Sequence, residues 1–382
     1  MGWDVNRRTF VGGMGALAAA GLAMPAIAKN GKKLNVLMIV TDQEQSVASY
    51  PKGLLEKLPH HRELMERGML VENYHVHTTP CTPSRSTIFQ GRHTQQTGLF
   101  LNSDNAPNPV AAEDMPTLGH MMQAAGYYTS YKGKWHLARM NFERNWNRVP
   151  GGIYPSTERM MEKYGFHDYG FDGEELGLTW DGYRADMYVA GDAARSIFDF
   201  VRRDKAGGKP WFMVVGLINP HDIMFYDATG EQAKHRTHPD ILAPLRREPG
   251  DPIYEVDNKF DLPESFYKDD LSTKPEAHKG IQRLNDLFYG PMPLDDLESW
   301  HRFNNYYYNC LRDVDRRLGQ LLWALKESGQ IDNTVIMYTS DHGERAGAHG
   351  LRQKAGTMYR EETNIPMIIA HPDVKGGQTT KE

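Results

Sequence analysis

The sequence predicts an α/β protein built on a large, mainly parallel sheet flanked by helices. Continuous apolar runs end in polar residues at 33–42, 209–222 and 333–344, as expected for strands that are buried on both faces. Segments with helical periodicity separate these runs, and such alternation is typical of parallel sheets. The chain has 382 residues, of which 40% are hydrophobic and 24% charged, and this is sufficient for one large core.

The elements follow in order from the first apolar run. "KLNVLMIVTD" is predicted to be a buried strand that ends with an acid, Asp42. The next periodic segment, 115–126, is predicted to be a helix, and a strand and loop follow over 127–137. One face of that helix is expected to carry four apolar side chains, namely Leu118, Met121, Met122 and Ala125.

The second half of the chain repeats this pattern. "KPWFMVVGLINPHD" is predicted to be a strand that ends near His221, and a long helix containing Cys310 leads into the strand of "NTVIMYTSDHGE". The helix is indicated by apolar residues at helical spacing: Leu311, Val314, Leu318, Leu321, Leu322 and Leu325. Residues from about 223 to 300 break the alternation, and a featureless loop of that length is rare. We therefore predict an insertion there, with short helices and substrate contacts, and expect 141–180 to contribute to specificity as well.

The first 28 residues have the layout of a twin-arginine signal peptide. Arg7 and Arg8 precede a Gly/Ala-rich apolar run, and a small-residue cleavage site ends at Ala28. The apolar run is too short for a stable membrane anchor. We expect a signal peptide at 1–28, a mature domain at 29–382, and a periplasmic or secreted location.

The overall charge bears on the class of partner. The chain has 44 basic and 49 acidic residues, a net charge of -5, and no long basic run. Nucleic acid is therefore not an expected partner.

Polar residues follow the predicted strands at their carboxyl ends, where parallel sheets bind ligands. Asp42 and Gln43 follow the first strand, and Asp341 and His342 follow the last. A single Asp in such a place is explained by capping a helix or turn. Two such pairs favour a hard divalent cation, Ca²⁺ first, with Mg²⁺ and Mn²⁺ as alternatives.

Positive side chains are expected near the same edge of the sheet. Arg85, Lys134 and Lys354 are fixed cations, and His136 and His221 lie at strand ends. A metal surrounded by such groups is suited to bind a sulfate or phosphate group. Spacing alone explains Lys354 equally well as a solvated surface charge.

Cys81 lies in "TTPCTPSRSTIFQGRHT" and is one of only two cysteines. A nearby cation lowers the pKa of a thiol, so Cys81 could be a nucleophile. A thiolate matches a hard cation poorly, however, and an exposed thiol would be oxidised in an oxidising compartment. This conflict indicates that Cys81 does not remain a cysteine, whereas Cys310 is expected to be a small helix residue and not its disulfide partner.

The Cys81 segment resembles the sulfatase signature, Cys-x-Pro-Ser-Arg followed by Gly-Arg. "GKWHL" (133–137), "NPHD" (219–222) and "SDHGERAGAHGLRQK" (340–354) resemble the other site segments of this family, in the expected order. The resemblance implies an alkaline-phosphatase-like sandwich and the hydrolysis of sulfate esters. It also implies that a formylglycine-generating enzyme oxidises Cys81 to formylglycine.

The resemblance implies a two-step reaction at the hydrated aldehyde. One hydroxyl, polarised by the metal, attacks sulfur and the alcohol leaves; the second hydroxyl then loses its proton and sulfate is expelled. The implied metal ligands are Asp42, Gln43, modified Cys81, Asp341 and His342. The other implied catalytic residues are Arg85, which orients the hydrate, Lys134 and His136, which contact sulfate and hydrate, and His221 and Lys354, which bind sulfate oxygens and protonate the leaving oxygen. Within this set, Lys134, His221 and Lys354 are the implied substrate-binding residues, and His136 is the implied base for the elimination.

Two departures from the family pattern leave alternatives open. Many arylsulfatases have Asp in place of Gln43 and Asn in place of His342, and the pair present here is more like the choline sulfatase and phosphonate monoester hydrolase branch. The substrate is then a sulfated small molecule or carbohydrate, or alternatively a phosphonate monoester or phosphodiester; a catalytically silent oxyanion- or glycan-binding homologue is a further alternative. Sulfatases usually continue past the position of Glu382, so a smaller C-terminal subdomain is expected to be missing or truncated.

Overall fold

The structure is a computed structural model that describes most of the chain after residue 32. The described ranges are 33–103, 108–138, 157–169, 177–202, 205–237, 243–354 and 356–381. The predicted signal peptide at 1–28 lies outside them, and so do 141–156 and 170–176 of the predicted specificity segment.

Eight strands form one sheet in the described residues. In chain order they are β1 Asn35–Asp42, β2 Met69–Val71, β3 Tyr128–Gly133, β4 Asp168–Tyr169, β5 Trp211–Pro220, β6 Thr334–Ser340, β7 Met367–Ala370 and β8 Gln378–Thr380. Their spatial order is β4-β3-β5-β1-β6-β7-β2-β8. Only β7 among them runs opposite to its neighbours, so the prediction of a mainly parallel sheet is confirmed.

The helices connect these strands and cover both faces of the sheet. Those of the described residues are α1 Pro59–Arg67, α2 Cys81–Gln90, α3 Thr94–Thr97, α4 Leu118–Ala124, α5 Thr157–Lys163, α6 Asp181–Arg202, α7 Gln232–His235, α8 Glu264–Lys268, α9 Glu276–Tyr289, α10 Leu297–Glu327 and α11 Arg360–Thr363. Short 3₁₀ turns lie at Val47–Ser49, Leu55–Lys57, His221–Phe225, Ile331–Asn333 and Ala348–Gly350.

The core has one layer on each face of the sheet. Leu37 and Ile39 of β1 pack in the cluster that contains the apolar faces of α6 and α10. Val36 and Met38 point to the opposite face and pack with an aromatic cluster that includes Trp135. Because both faces are covered, successive residues of β1 are all buried, which explains why the strand appears in the sequence as a continuous apolar run.

Residues 223–300 contain α7, α8 and α9 and contact the first half of α10. Their apolar residues, such as Ile253 and Leu262, share a buried cluster with Phe303 and Tyr307 of α10. This segment therefore has a core of its own next to the carboxyl edge of the sheet, and its role as a substrate-contacting insertion stays a prediction.

Two details of the helices can be compared with the sequence. The six apolar residues predicted for the helix around Cys310 are all buried in α10, and both cysteines are free, as expected. The predicted apolar face of α4 is wrong at Met121, which is 50% exposed. Leu118, Met122 and Ala125 pack against the core, because only one side of this short helix faces the sheet.

No helix in the described part of the chain combines the length and apolar character needed to cross a membrane.

Candidate active site

The site forms where β1 and β6 end side by side. The two strands are parallel and pair Thr41 with Ser340, and the backbone N–H of Asp341 donates to the carbonyl of Thr41 over 3.1 Å. Asp42 and Asp341 therefore leave the same edge of the sheet. The chain turns at once after β1, because Gln43 has a left-handed φ of 75°.

Helix α2 brings Cys81 and Arg85 to this edge. Cys81 is the first residue of α2 and Arg85 follows one turn later, so both lie on the same side of the helix. The hydroxyl of Ser84 donates to the carbonyl of Asp341, which fixes the start of α2 against the end of β6. The thiol of Cys81 is fully buried there.

Four side chains form a cluster with the spacing of a metal site. One ligand atom from each of Asp42, Cys81, Asp341 and His342 lies within 4.8 Å of all the others, and all four residues are buried. His342 Nε2 is 3.5 Å from one oxygen of each carboxylate and 3.2 Å from Cys81 Sγ. His342 Nδ1 contacts the carbonyl of Gly343 at 3.0 Å, which directs Nε2 into the cluster. Two carboxylates and an imidazole are a donor set that fits a divalent cation.

Positive side chains surround the two carboxylates. Arg85 Nε donates to Asp341 Oδ2 over 2.8 Å, and Lys134 Nζ lies 2.6 Å from Asp42 Oδ2. Lys354 Nζ lies 3.2 Å from Cys81 Sγ and 2.7 Å from Gln43 Oε1. These cations are all buried or nearly so, so they act on the site with little screening by water.

Charge and burial compete at these groups. Burial raises the pKa of Asp42, but Lys134 and Lys354 outweigh it and hold that pKa well below its usual range. Burial and the neighbouring Asp42 raise the pKa of Asp341. Burial and Asp42 also raise the pKa of the Cys81 thiol, yet Lys354, Lys134 and His342 together bring it well below the usual range. The site thus favours negative charge at the position of the Cys81 sulfur.

His221 adjoins the cluster from the end of β5. Its ring lies close enough to Cys81 to interact with it, and its Nδ1 is buried with no hydrogen-bond partner in the described part of the chain. Burial and the positive charge of Lys354 lower the pKa of His221 to about 4, so the ring is neutral near pH 7. Gly177 covers it closely: a Cβ there would lie 2.5 Å from Nδ1.

His136 is connected to the site through the backbone. Its ring is buried, and its carbonyl accepts a hydrogen bond of 2.8 Å from the hydroxyl of Thr82, the residue after Cys81. Eight of the predicted site residues are connected by direct side-chain contacts: Asp42, Gln43, Cys81, Arg85, Lys134, Asp341, His342 and Lys354. His221 lies beside Cys81, and His136 is connected to the group through its carbonyl.

Sequence reasoning missed the groups that support the site. Glu344 is fully buried beside Gln43, and the hydroxyl of Tyr307 donates to the carbonyl of Gln43 over 2.9 Å. Glu344 lies within the 340–354 motif, but a glutamate in a loop usually lies at the surface, so no sequence signal distinguished it. His349 of the same motif instead pairs with Asp269 at 2.8 Å.

Comparison with known proteins agrees with this geometry. The profile of the sulfatase family matches residues 34–382. The uncharacterized sulfatase YidJ of Escherichia coli is 27% identical over 364 residues, which are 89% of this chain and 63% of that protein. The choline-sulfatase of Rhizobium meliloti is 24% identical over 367 residues, which are 90% of this chain and 64% of that protein. The chain thus spans less than two thirds of the length of these two curated relatives.

A solved structure shares the fold. The phosphonate monoester hydrolase of Agrobacterium radiobacter superposes with a TM-score of 0.62 at 19% identity, covering 92% of this chain and 71% of that one. At this identity the likeness concerns the alkaline-phosphatase-like fold alone. Since the family profile extends over nearly the whole described chain, from β1 to the last strand, the chain belongs to the sulfatase family.

Proposed function

We propose that this protein hydrolyses sulfate esters, with a nucleophile derived from Cys81 and a divalent cation. The observation that carries the proposal is the position of Cys81 Sγ. It lies 3.2 Å from His342 Nε2 and 3.2 Å from Lys354 Nζ, inside the cluster that fits a cation. A sulfur at this point stands in for the oxygen of the modified residue.

The cation and the modification supply the chemistry that the chain lacks. Asp42, Asp341, His342 and the oxygen of Gln43 would hold a divalent cation, Ca²⁺ first, and formylglycine at position 81 would supply an oxygen nucleophile that the cation polarises. A formylglycine-generating enzyme is the maturation partner that this requires.

The remaining side chains bind and orient the substrate. Lys354 lies within 3.2 Å of the nucleophile position, so its ammonium group can bind a sulfate oxygen and donate a proton to the leaving alcohol. His221 lies beside the same position and can donate a hydrogen bond from its ring to the sulfate. Arg85 and Lys134 hold the two carboxylates and so keep the nucleophile aligned, while His136 is the proposed base for release of sulfate.

A phosphonate monoester or phosphodiester is the second candidate substrate class. Gln43 places a neutral amide where many arylsulfatases have a carboxylate, and Lys354 Nζ lies 2.7 Å from its oxygen. Because there is less negative charge beside the nucleophile, the site repels an anionic phosphoester less. The same site geometry therefore supports both classes.

We also propose export to the periplasm or beyond, which rests on the twin-arginine pattern at Arg7 and Arg8. Twin-arginine export carries folded proteins, and this order would allow modification of Cys81 in the cytoplasm.

The decisive experiment is production of the full chain with a formylglycine-generating enzyme, followed by mass spectrometry of the Cys81 peptide. The modified protein is then assayed on sulfated sugars, choline sulfate, an aryl sulfate and a phosphodiester. Formylglycine together with a higher kcat/KM on any sulfate ester than on the phosphodiester supports the proposal. A large preference for the phosphodiester would favour the second candidate. Cysteine that stays unmodified in the native host would favour the silent oxyanion- or glycan-binding alternative.

A further inference from the structure

Glu344 is a buried carboxylate with contacts to two parts of the site. Its Oε1 accepts hydrogen bonds from the backbone N–H groups of Ala346, over 3.1 Å, and Gln353, over 2.6 Å. Its Oε2 accepts from Gln43 Nε2 over 2.5 Å. The residue is fully buried, and the proposed function assigns it no role.

The chemistry of the neighbours fixes which way the Gln43 amide points. Lys354 Nζ contacts one end of this amide at 2.7 Å, and an ammonium group can donate but not accept. That end must therefore be the oxygen. The amide nitrogen then faces Glu344 Oε2, with Gln353 Oε1 as a second acceptor at 3.4 Å. The orientation follows from donors and acceptors on both sides, and Glu344 is the nearer acceptor.

The same carboxylate holds the chain next to Lys354. Gln353 has a left-handed φ of 66°. Its N–H donates the shorter of the two backbone hydrogen bonds that Glu344 accepts. Lys354 follows directly and extends to Cys81 and Gln43. One buried side chain thus connects the turn after β1 with the loop that presents Lys354.

We propose that Glu344 is a positioning residue. It keeps the oxygen of Gln43 aimed at the cation site and holds the backbone from which the Lys354 side chain extends. The inference rests on the proposed function, because it takes Gln43 as a ligand of the divalent cation. Glu344 itself contacts neither substrate nor cation; it acts through Gln43 and Gln353.

The test variant is Glu344→Gln, which keeps the size of the side chain. Two backbone N–H donors occupy the Oε1 side, so the new amide must keep its oxygen there and turn its NH₂ group toward Gln43. Gln43 must then flip, or two NH₂ groups face each other at the former 2.5 Å contact. A flip turns the Gln43 oxygen away from the cation site, and the repulsion between two NH₂ groups would displace the side chain that carries it. Loss of such a supporting bond typically weakens metal affinity by about 10- to 100-fold.

The measurement is isothermal titration of Ca²⁺, and then Mg²⁺, into the full chain after treatment with a chelator. Thermal unfolding of the same samples without metal reports whether the variant is folded. The double variant Gln43→Glu with Glu344→Gln tests whether an oxygen at position 43 can be restored to the site. Its amide NH₂ at position 344 can donate to the new carboxylate at position 43, which presents an oxygen to the site in either orientation. Cation affinity should return to that of the parent chain or become tighter.

The matched control is Glu362→Gln, which changes another fully buried glutamate. Glu362 accepts from the hydroxyls of Thr79 and Thr357, and hydroxyl groups can serve an amide as donors or acceptors. Its Oε2 also lies 3.9 Å from Arg345 Nη1, and an amide oxygen can accept from a guanidinium group as well. Its Ca²⁺ affinity should therefore match that of the parent chain. kcat/KM of the modified enzyme should follow the order of cation affinities among the four proteins.

The outcomes separate this inference from the proposed function. If the parent chain binds Ca²⁺ and Glu344→Gln binds it equally well, the positioning role is overturned and the proposed function stands. The role is also overturned if the double variant stays as weak as the single one while both unfold at the same temperature. If the parent chain binds neither cation, the metal assignment and this inference fail together.

Discussion

Cys81 and Cys310 are both fully buried free thiols, yet their surroundings act on them in opposite directions. Burial raises the pKa of Cys310, and the nearby Asp222 and Asp313 raise it further. Burial raises the pKa of Cys81 as well, but Lys354, Lys134 and His342 lower it well below the usual range. The fold thus holds one cysteine among acids on a helix and the other among cations at the edge of the sheet.

The difference shows that burial does not decide what a polar group can do. Both thiols lose their contact with water, and both have aspartates nearby. Only at Cys81 are fixed cations placed close enough to compensate for the loss of solvation. Three experiments can break or sharpen this contrast.

The largest effect is expected from substituting each of the two cysteines separately. Cys81→Ser should lower kcat/KM on a sulfate ester by at least about 10³-fold, because a serine side chain lacks the second hydroxyl that expels sulfate from the hydrated aldehyde. Cys310→Ala should keep the activity and lose about 1 kcal/mol of unfolding free energy, since it removes one buried sulfur atom. The pair is compared by steady-state kinetics and urea unfolding, and equal losses of activity would refute the contrast.

The second largest effect is expected from replacing the arginine that pairs with an aspartate near each cysteine. Arg85 is fully buried against Asp341 and Asp42, whereas Arg317 is partly exposed and pairs with Asp313 at 2.7 Å. In the presence of a chelator, Arg85→Met should lower the unfolding free energy by about 3–5 kcal/mol, because the buried carboxylate of Asp341 loses its 2.8 Å ion-pair partner. Arg317→Met should lower the unfolding free energy by about 1 kcal/mol or less, since Asp313 still accepts a hydrogen bond of 3.1 Å from the hydroxyl of Tyr254.

The control for the arginine pair is activity in the presence of added Ca²⁺, where Arg317→Met should match the parent chain. A stability loss at Arg317 as large as that at Arg85 would show that the two ion pairs do not differ in the way their burial indicates.

The smallest effect is a change in the pH dependence of stability near Cys310. Burial, Asp181 and Asp313 raise the pKa of Asp222 from 3.8 to about 7, so the folded state binds a proton that the unfolded state has already released. The stability that this group contributes is present below about pH 4 and is lost as the pH rises through about 7. Asp222→Asn removes the titration, so the variant should lose less unfolding free energy than the parent chain over this range.

Urea unfolding at several pH values measures this difference. Asp222 also accepts backbone N–H groups of Gly182 and Tyr183, and losing one of these bonds should lower the stability of the variant by a similar amount at every pH. Parallel pH curves for the two proteins would contradict the raised pKa.

Much of the fold could be predicted because its signals are local. The apolar run of β1 and the periodic leucines of α10 come from residues that are neighbours in the sequence, and the structure confirms both. The prediction for Met121 was wrong because the spacing of residues on a short helix does not tell which side meets the sheet. The site residues were indicated by their position after predicted strands, and parallel strands end at a common edge.

The sequence by itself determined the class of fold, the family and the kinds of side chain at the carboxyl edge of the sheet. Only the tertiary structure decided how those side chains are oriented. Lys354 contacts a residue 311 positions away in Gln43, and Glu344 turns the amide of that residue toward the site. Such contacts depend on distances of a few ångströms between distant segments, because hydrogen bonds form only within a narrow range of distances and angles and the energy of a charge pair depends on the distance between the charges.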